Sequence, residues 1–213
     1  MTERLTAALS AMLGGDAGVG YADGSDDPEL FPEEAQAIAR AIPKRRAEFA
    51  AGRRAARAAL VGIGQAPQAI LVGEHRAPLW PRGMVGAITH DDGTALAAVL
   101  PDRAAAGLGI DLTAATALPA KVDREILPHA DEQGLSPLDA RTGFSAKESL
   151  FKALFPLVGA YFGFSAAVFR PGLTTFHIEL TVPIGPFAAG TGWTGQCARD
   201  SRHILTALRL PPL

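Results

Sequence analysis

Apolar residues recur at helical spacing in two long stretches of the chain. Across Phe144–Pro156, Leu150, Phe151, Leu154 and Phe155 fall on one face. Lys147, Glu148 and Lys152 fall on the other, with Glu148 and Lys152 one turn apart. Ser145, with Glu148 three residues on, predicts a capping box that opens this helix, and Pro156 and Gly159 predict its end. The second stretch is Lys44–Leu60, behind Pro43. Phe49, Ala56 and Leu60 give it an apolar side. Lys44, Arg45, Arg46, Arg53, Arg54 and Arg57 make it strongly basic, with Arg46, Arg53 and Arg57 predicted along one face.

Shorter apolar runs predict strands at Ala69–Val72, Met84–Thr89, Thr94–Leu100, Leu108–Leu112, Thr175–Val182, Trp193–Ala198 and His203–Leu210. The turn His90–Gly93 predicts a hairpin between the second and third of these. Thr6–Leu13 and Lys121–Leu127 are short helix candidates. Leu30-Phe31-Pro32-Glu33-Glu34 reads as a helix start, with proline and acids in the first turn, running through Ile38 to about Ile42. Gly14–Asp27 reads as a loop, and Thr113–Arg141 as loop-rich. Helices followed by about three strands in each half predict an α+β chain, with residues 1–107 and 108–213 as two halves. No strong internal sequence repeat is visible.

Composition narrows the class. The chain has 213 residues, 48% of them hydrophobic and 20% charged, which describes a globular protein. The net charge of −2 argues against a general nucleic-acid binder, so an anion site has to be a local basic cluster. Cys197 is the sole cysteine, which excludes an intramolecular disulfide and a cysteine-based metal site; the plain expectation is a small buried residue. No apolar run reaches the ~18 residues of a membrane span. The N-terminal residues lack a signal-peptide pattern, so a cytoplasmic protein is expected.

Two acids stand out. Asp111 closes an apolar strand, and Glu148 lies at the predicted start of a helix. A turn-starting aspartate, a capping glutamate and a solvated basic helix would account for them and for the arginines separately. If the strand end meets the helix, the two carboxylates can share a hard cation. Mg²⁺ commonly takes one or two protein carboxylates and completes its shell with water and phosphate oxygens. Arginines of the basic helix and Lys152 could then hold the phosphates. This reading points to phosphate transfer.

The same residues carry a resemblance. Gly109-Ile110-Asp111-Leu112 and Phe144-Ser145-Ala146-Lys147-Glu148-Ser149-Leu150-Phe151-Lys152-Ala153 resemble the paired signatures of the Sfp/EntD-type 4′-phosphopantetheinyl transferases. Trp80-Pro81-Arg82-Gly83-Met84-Val85-Gly86-Ala87-Ile88-Thr89-His90 and Arg45-Arg46-Ala47-Glu48-Phe49-Ala50-Ala51-Gly52-Arg53 resemble two further family stretches. Tyr161-Phe162-Gly163-Phe164-Ser165-Ala166-Ala167 is similar to the segment that follows the family helix. The likeness runs in order from about Phe31 to Ala167, nearest to the enterobactin-synthase branch.

The resemblance implies a pseudo-twofold fold of two similar halves, each a small antiparallel sheet packed on a long helix, with coenzyme A in a cleft between them. It implies Mg²⁺-dependent transfer of the phosphopantetheine arm to a serine of an acyl or peptidyl carrier protein, with adenosine 3′,5′-bisphosphate released. Such enzymes prime siderophore, polyketide and nonribosomal peptide assembly lines. By position, Asp111 and Glu148 match the metal ligands, and Glu148 also matches the proposed general base. Lys152 matches the lysine that neutralises the diphosphate. Arg45, Arg53, His75, Arg76, Thr89, His90 and Lys147 match coenzyme A contacts, as do Asp111 and Lys152. Thr113 departs from the pattern, because the family commonly has an acid there. The departure keeps open a degenerate relative that binds coenzyme A or a carrier domain without transfer. Relatives of this length are usually monomers. By family position, about Leu118 to Arg141 is the expected carrier contact.

Overall fold

The computed structural model describes residues 2–24 and 30–212. The chain falls into two compact units, Met1–Leu108 with Pro211–Leu213, and Gly109–Leu210.

In the first unit the described elements are α1 (Thr2–Leu13), β1 (Gly18–Asp23), α2 (Pro32–Ala37), α3 (Pro43–Gly62), β2 (Leu71–Val72), β3 (Pro78–Leu79), β4 (Met84–Asp91) and β5 (Thr94–Pro101). β5 is central in an antiparallel sheet of order β1-β5-β4, and β2 and β3 form a separate ribbon. α3 lies across this sheet through small residues, Ala51, Ala55, Ala56 and Ala59, packed with Ala95, Ala97 and Val99 of β5. The approach is close enough that a Cβ on Gly18 or Gly20 of β1 would collide with the carbonyl of Ala59 or Ala55. β1 therefore lies where a loop was expected. Its small residues serve contact with a helix, and they erase the bulky alternation that marks a strand. The part of that expected loop at residues 25–27 lies outside the described residues. α2 also stops at Ala37, short of the expected Ile42.

The second unit begins inside β6 (Gly107–Ala114) and continues with α4 (Ala120–Ile126), α5 (Pro137–Val158), β7 (Ala167–Pro171), β8 (Thr175–Leu180), β9 (Gly192–Arg199) and β10 (His203–Leu210). Its sheet has the order β6-β10-β9-β8-β7, so the last strand of the unit sits beside the first. The chain is thus α+β with antiparallel sheets, as expected, although β1, β3 and β7 were not read from the sequence.

α5 corrects the predicted helix. It starts at Pro137, with Ser136 as the N-cap accepting from the amide of Asp139, eight residues before Ser145. Ser145 is fully buried in mid-helix, so its hydroxyl caps nothing. Glu148 likewise lies in the helix interior, away from the positive end of the helix dipole. Pro156 sits inside the last turn, and the helix closes at Gly159, whose φ of 64° is the left-handed conformation that glycine adopts freely. Leu150, Leu154 and Phe155 are buried as the apolar pattern predicts.

One arrangement occurs in both units. Glu34, with no exposed surface, accepts from the amide of Phe31 ahead of its own short helix, from the amide of Ile70, and from Arg57 of α3 at 2.8 Å. Glu132 accepts from the amide of His129 ahead of its own short 3-10 turn, from the amide of Phe169, and from Lys147 of α5 at 2.7 Å. In each case a buried glutamate joins a short helical turn, a long helix and the backbone that follows that helix. A buried carboxylate requires this kind of full satisfaction. This contact pattern recurs without any strong repeat in the sequence.

Candidate active site

In the second unit, Gly109, Asp111 and Thr113 alternate onto one face of β6. That face meets α5. A Cβ on Gly109 would strike the carbonyl of Ser149, so the glycine lets strand and helix approach closely. Two residues along, Asp111 Oδ1 accepts from Lys152 Nζ at 2.7 Å, and Asp111 Oδ2 accepts from Ser145 Oγ at 2.9 Å. Lys152 Nζ also donates to the carbonyl of Ile110 at 3.0 Å. The partner of Lys152 is therefore the strand acid and not Glu148, the helical neighbour that its spacing suggested.

Glu148 is half-buried and has no hydrogen-bond or ion-pair partner among the described residues. Burial pushes its carboxyl above the ordinary glutamate range. The nearby Lys152 cation pulls it down, and the Asp111 anion pushes it further up. The two acids and the lysine thus share one electrostatic environment. Beside Glu148 lies a cavity of about 160 Å³, walled by Leu150, Phe151, Tyr161, Phe162 and Phe164. Phe151 is the hub of this wall, with ring centroids 5.2 Å from Phe155, 5.5 Å from Tyr161 and 5.2 Å from Phe162.

Lys147 does not fit its expected role as a phosphate contact. It is buried at 4% exposure, and its ammonium donates to Glu132 and to the carbonyls of Ile126 and Phe164. Those three acceptors use all three of its protons. Burial lowers its pKa, and the Glu132 carboxylate opposes that shift. Lys147 fastens the 119–136 segment and the turn at Phe164 to α5.

The remaining expected residues lie in the first unit. Arg45 and His90 come together, Nη1 to Nε2 at 3.3 Å, and Arg45 also lies 3.5 Å from Glu48. Because the guanidinium can only donate, His90 Nε2 is the acceptor in this contact. Thr89, before it, is buried. Arg53 is buried as well. Its Nε donates to the carbonyl of Ile70 at 2.7 Å, and its guanidinium lies 4.2 Å from the centre of the Phe49 ring. Burial pushes its pKa down to about 10; Glu34 opposes this, and the cations Arg45 and Arg57 add to it. The expected outward stripe of Arg46, Arg53 and Arg57 therefore breaks up, since only Arg46 is exposed while Arg53 and Arg57 turn inward to Ile70 and Glu34. His75 and Arg76 are exposed in a short turn, both with left-handed backbone at φ 51° and 68°. Consecutive non-glycine residues in that region are uncommon and tend to mark functional turns.

Hard oxygen donors are present for a cation at Asp111 and Glu148, but no cluster of three or more potential ligands occurs among the described residues. Thr113, where a third acid was expected, is buried on the face shared with Asp111. The pair fits Mg²⁺, which needs few protein carboxylates when phosphate oxygens and water complete its shell. Ser149, Thr206 and Glu132 were missed by sequence reasoning. Thr206 carries no motif, and Glu132 sits behind His129, which is not one of the usual capping residues.

A lysine-bridged acid beside an unpartnered, half-buried carboxylate suits an enzyme that moves phosphate esters. Comparison with known proteins names the kind. Residues 33–100 match the family model of the 4′-phosphopantetheinyl transferase N-terminal domain. The chain is 41% identical over 203 residues to the 4′-phosphopantetheinyl transferase Svp of Streptomyces mobaraensis, covering 88% of this chain and 82% of that protein. It is 37% identical to the 4′-phosphopantetheinyl transferase Npt of Nocardia iowensis, covering 86% and 90%. Enterobactin synthase component D of Salmonella typhi is 37% identical over a shorter span, 64% of this chain and 59% of that protein. The chain belongs to the 4′-phosphopantetheinyl transferase family and is an enzyme of that class. No helix among the described residues is long and apolar enough to cross a membrane.

Proposed function

We propose that this enzyme transfers the 4′-phosphopantetheine arm of coenzyme A to a serine hydroxyl of an acyl or peptidyl carrier protein. The observation that carries the reading is the group formed by Asp111, Lys152 and Glu148, in which Lys152 bridges to Asp111 at 2.7 Å while the Glu148 carboxyl has no hydrogen-bond or ion-pair partner among the described residues. A general base needs a carboxylate within reach of the proton and with some affinity for it. Burial raises the proton affinity of the metal-free Glu148 carboxyl.

In the proposed reaction the serine oxygen forms a bond to the phosphorus that bears pantetheine. The bond from that phosphorus to the bridging oxygen breaks, and adenosine 3′,5′-bisphosphate leaves with the electron pair. Glu148 takes the serine proton. Lys152 offsets charge on the diphosphate and the leaving group. Asp111 and Glu148 would hold Mg²⁺, which when bound supplies further charge neutralisation of the diphosphate. The aromatic wall beside Glu148 suits the long, partly apolar pantetheine arm. Arg45 and His90 suit the phosphate groups of the adenosine end, as do the exposed His75 and Arg76.

The test is incubation of an apo-carrier protein with coenzyme A, Mg²⁺ and the enzyme, read by mass spectrometry. A mass gain of one phosphopantetheine supports the proposal. No gain across a panel of carriers, with coenzyme A binding intact, would replace it with a binding-only relative.

A further inference from the structure

A buried chain of hydroxyl groups runs behind Asp111. Ser145 Oγ lies 2.9 Å from Asp111 Oδ2 and 2.8 Å from Thr206 Oγ1, and Thr206 Oγ1 lies 2.8 Å from Ser149 Oγ. Ser145, Ser149 and Thr206 have no exposed surface. Two of the three come from α5, and the third comes from β10, the strand adjacent to β6.

The order of protons follows from the acid. An ionised carboxylate only accepts, so Ser145 gives its single proton to Asp111 Oδ2. Ser145 Oγ then accepts from Thr206, and Thr206 Oγ1 is left to accept from Ser149. Ser149 has a second, longer acceptor in the Thr206 carbonyl at 3.4 Å. Aligned hydroxyls of this kind polarise one another in a low-dielectric interior. The carboxylate of Asp111 is thereby held at both ends, with Oδ2 on the buried hydroxyl chain and Oδ1 on Lys152, which is partly exposed.

We infer that Thr206 is a positioning residue for Asp111. Through Ser145 it fixes which carboxylate oxygen faces the diphosphate side. Thr206 has no exposed surface, so its influence on the site runs through Ser145 to Asp111. The inference rests on the reading of Asp111 as a metal ligand given above. Partners behind a metal-ligating carboxylate typically change metal affinity about 10- to 100-fold when removed.

The probe is Mn²⁺, titrated into the full-length enzyme with coenzyme A present and followed by electron paramagnetic resonance, beside the Mg²⁺ dependence of transfer. Thr206→Val keeps the shape and removes the hydroxyl. It is expected to weaken Mn²⁺ binding about tenfold or more and to raise the Mg²⁺ concentration for half-maximal rate, with kcat at saturating Mg²⁺ changed much less. Thr206→Ser should restore both. Ser149→Ala, a smaller disturbance at the far end of the chain, should shift both in the same direction by less, and it serves if Thr206→Val fails to fold. Wild-type Mn²⁺ affinity in Thr206→Val, or equal loss in Thr206→Val and Thr206→Ser, would overturn the inference. Asp111→Ala separates the two readings. If it binds Mn²⁺ as the wild type does, the metal assignment itself falls.

Discussion

Lys152 Nζ sits 2.7 Å from Asp111 Oδ1, joining the last third of α5 to the middle of β6. The contact brings together two motifs that lie far apart in the chain. Lys152 Nζ donates to the Ile110 carbonyl as well, and in the proposed reaction it serves as a counter-charge for the diphosphate. Lys152→Met should lower kcat/KM for coenzyme A by about 10²- to 10³-fold, the usual cost of removing one preorganised electrostatic contact. The carrier mass-shift assay run as a time course would measure it, and a loss below tenfold would remove Lys152 from the reaction.

Glu148 has a cost in stability. Its folded-state pKa is raised, mainly by burial, above the ordinary value of 4.5. The folded state therefore favours the protonated form. Stability from this group is fully present below the ordinary value and is lost as pH rises through the folded value. Glu148→Gln should raise the melting temperature relative to wild type at pH 7, and the gain should vanish below about pH 4.5. The same variant should lose transfer by about 10²- to 10⁴-fold. Thermal melts at the two pH values, with the transfer assay, check the pairing of gain and loss.

Lys147 is expected to matter for folding and not for coenzyme A. Lys147→Met leaves Glu132 buried without its cation and should cost about 3–5 kcal/mol in a denaturant titration. Glu132→Gln in the same chain should recover part of that loss. The folded fraction should bind coenzyme A with unchanged affinity by calorimetry. A large change there would return Lys147 to the phosphate site.

Two glycines set the distance between helix and strand. Gly20→Ala would drive a methyl group against the Ala55 carbonyl, and Gly109→Ala would do the same at Ser149. Each should destabilise by about 1–3 kcal/mol, as overpacked sites do. Gly109→Ala should in addition raise the Mg²⁺ requirement, because Asp111 lies two residues along the same strand face. Circular dichroism melts and a Mg²⁺ titration of the rate distinguish the two effects.

Thr113 shares the strand face of Asp111. Thr113→Glu is expected to add a third oxygen donor and lower the Mg²⁺ concentration for half-maximal rate. An unchanged or higher requirement would count against a Mg²⁺ site weakened by the threonine.

The sequence by itself determined the kinds of element and the chemistry available. The apolar spacing of Leu150, Leu154 and Phe155 marked α5 because burial of one helix face writes a period into the chain. Asp111, Glu148 and Lys152 were legible because an acid in an apolar strand and charges at fixed spacing in a motif are unusual enough to notice, although β6 runs on to Ala114 and Asp111 lies within it, not at the end that was expected. β1 was not legible, since its glycines answer to carbonyls of α3 that lie far along the chain. Only the tertiary structure decided the partners. Lys152 could have paired with Glu148 on its own helix and pairs with Asp111. Ser145 looked like a cap and is the buried donor to Asp111. Lys147 looked like a phosphate contact and holds Glu132. Local spacing states which side chains can meet within one element. Which ones do meet is settled when β6 and β10 pair and α5 packs on their sheet, because burial then forces each charge and hydroxyl to find a partner from another part of the chain.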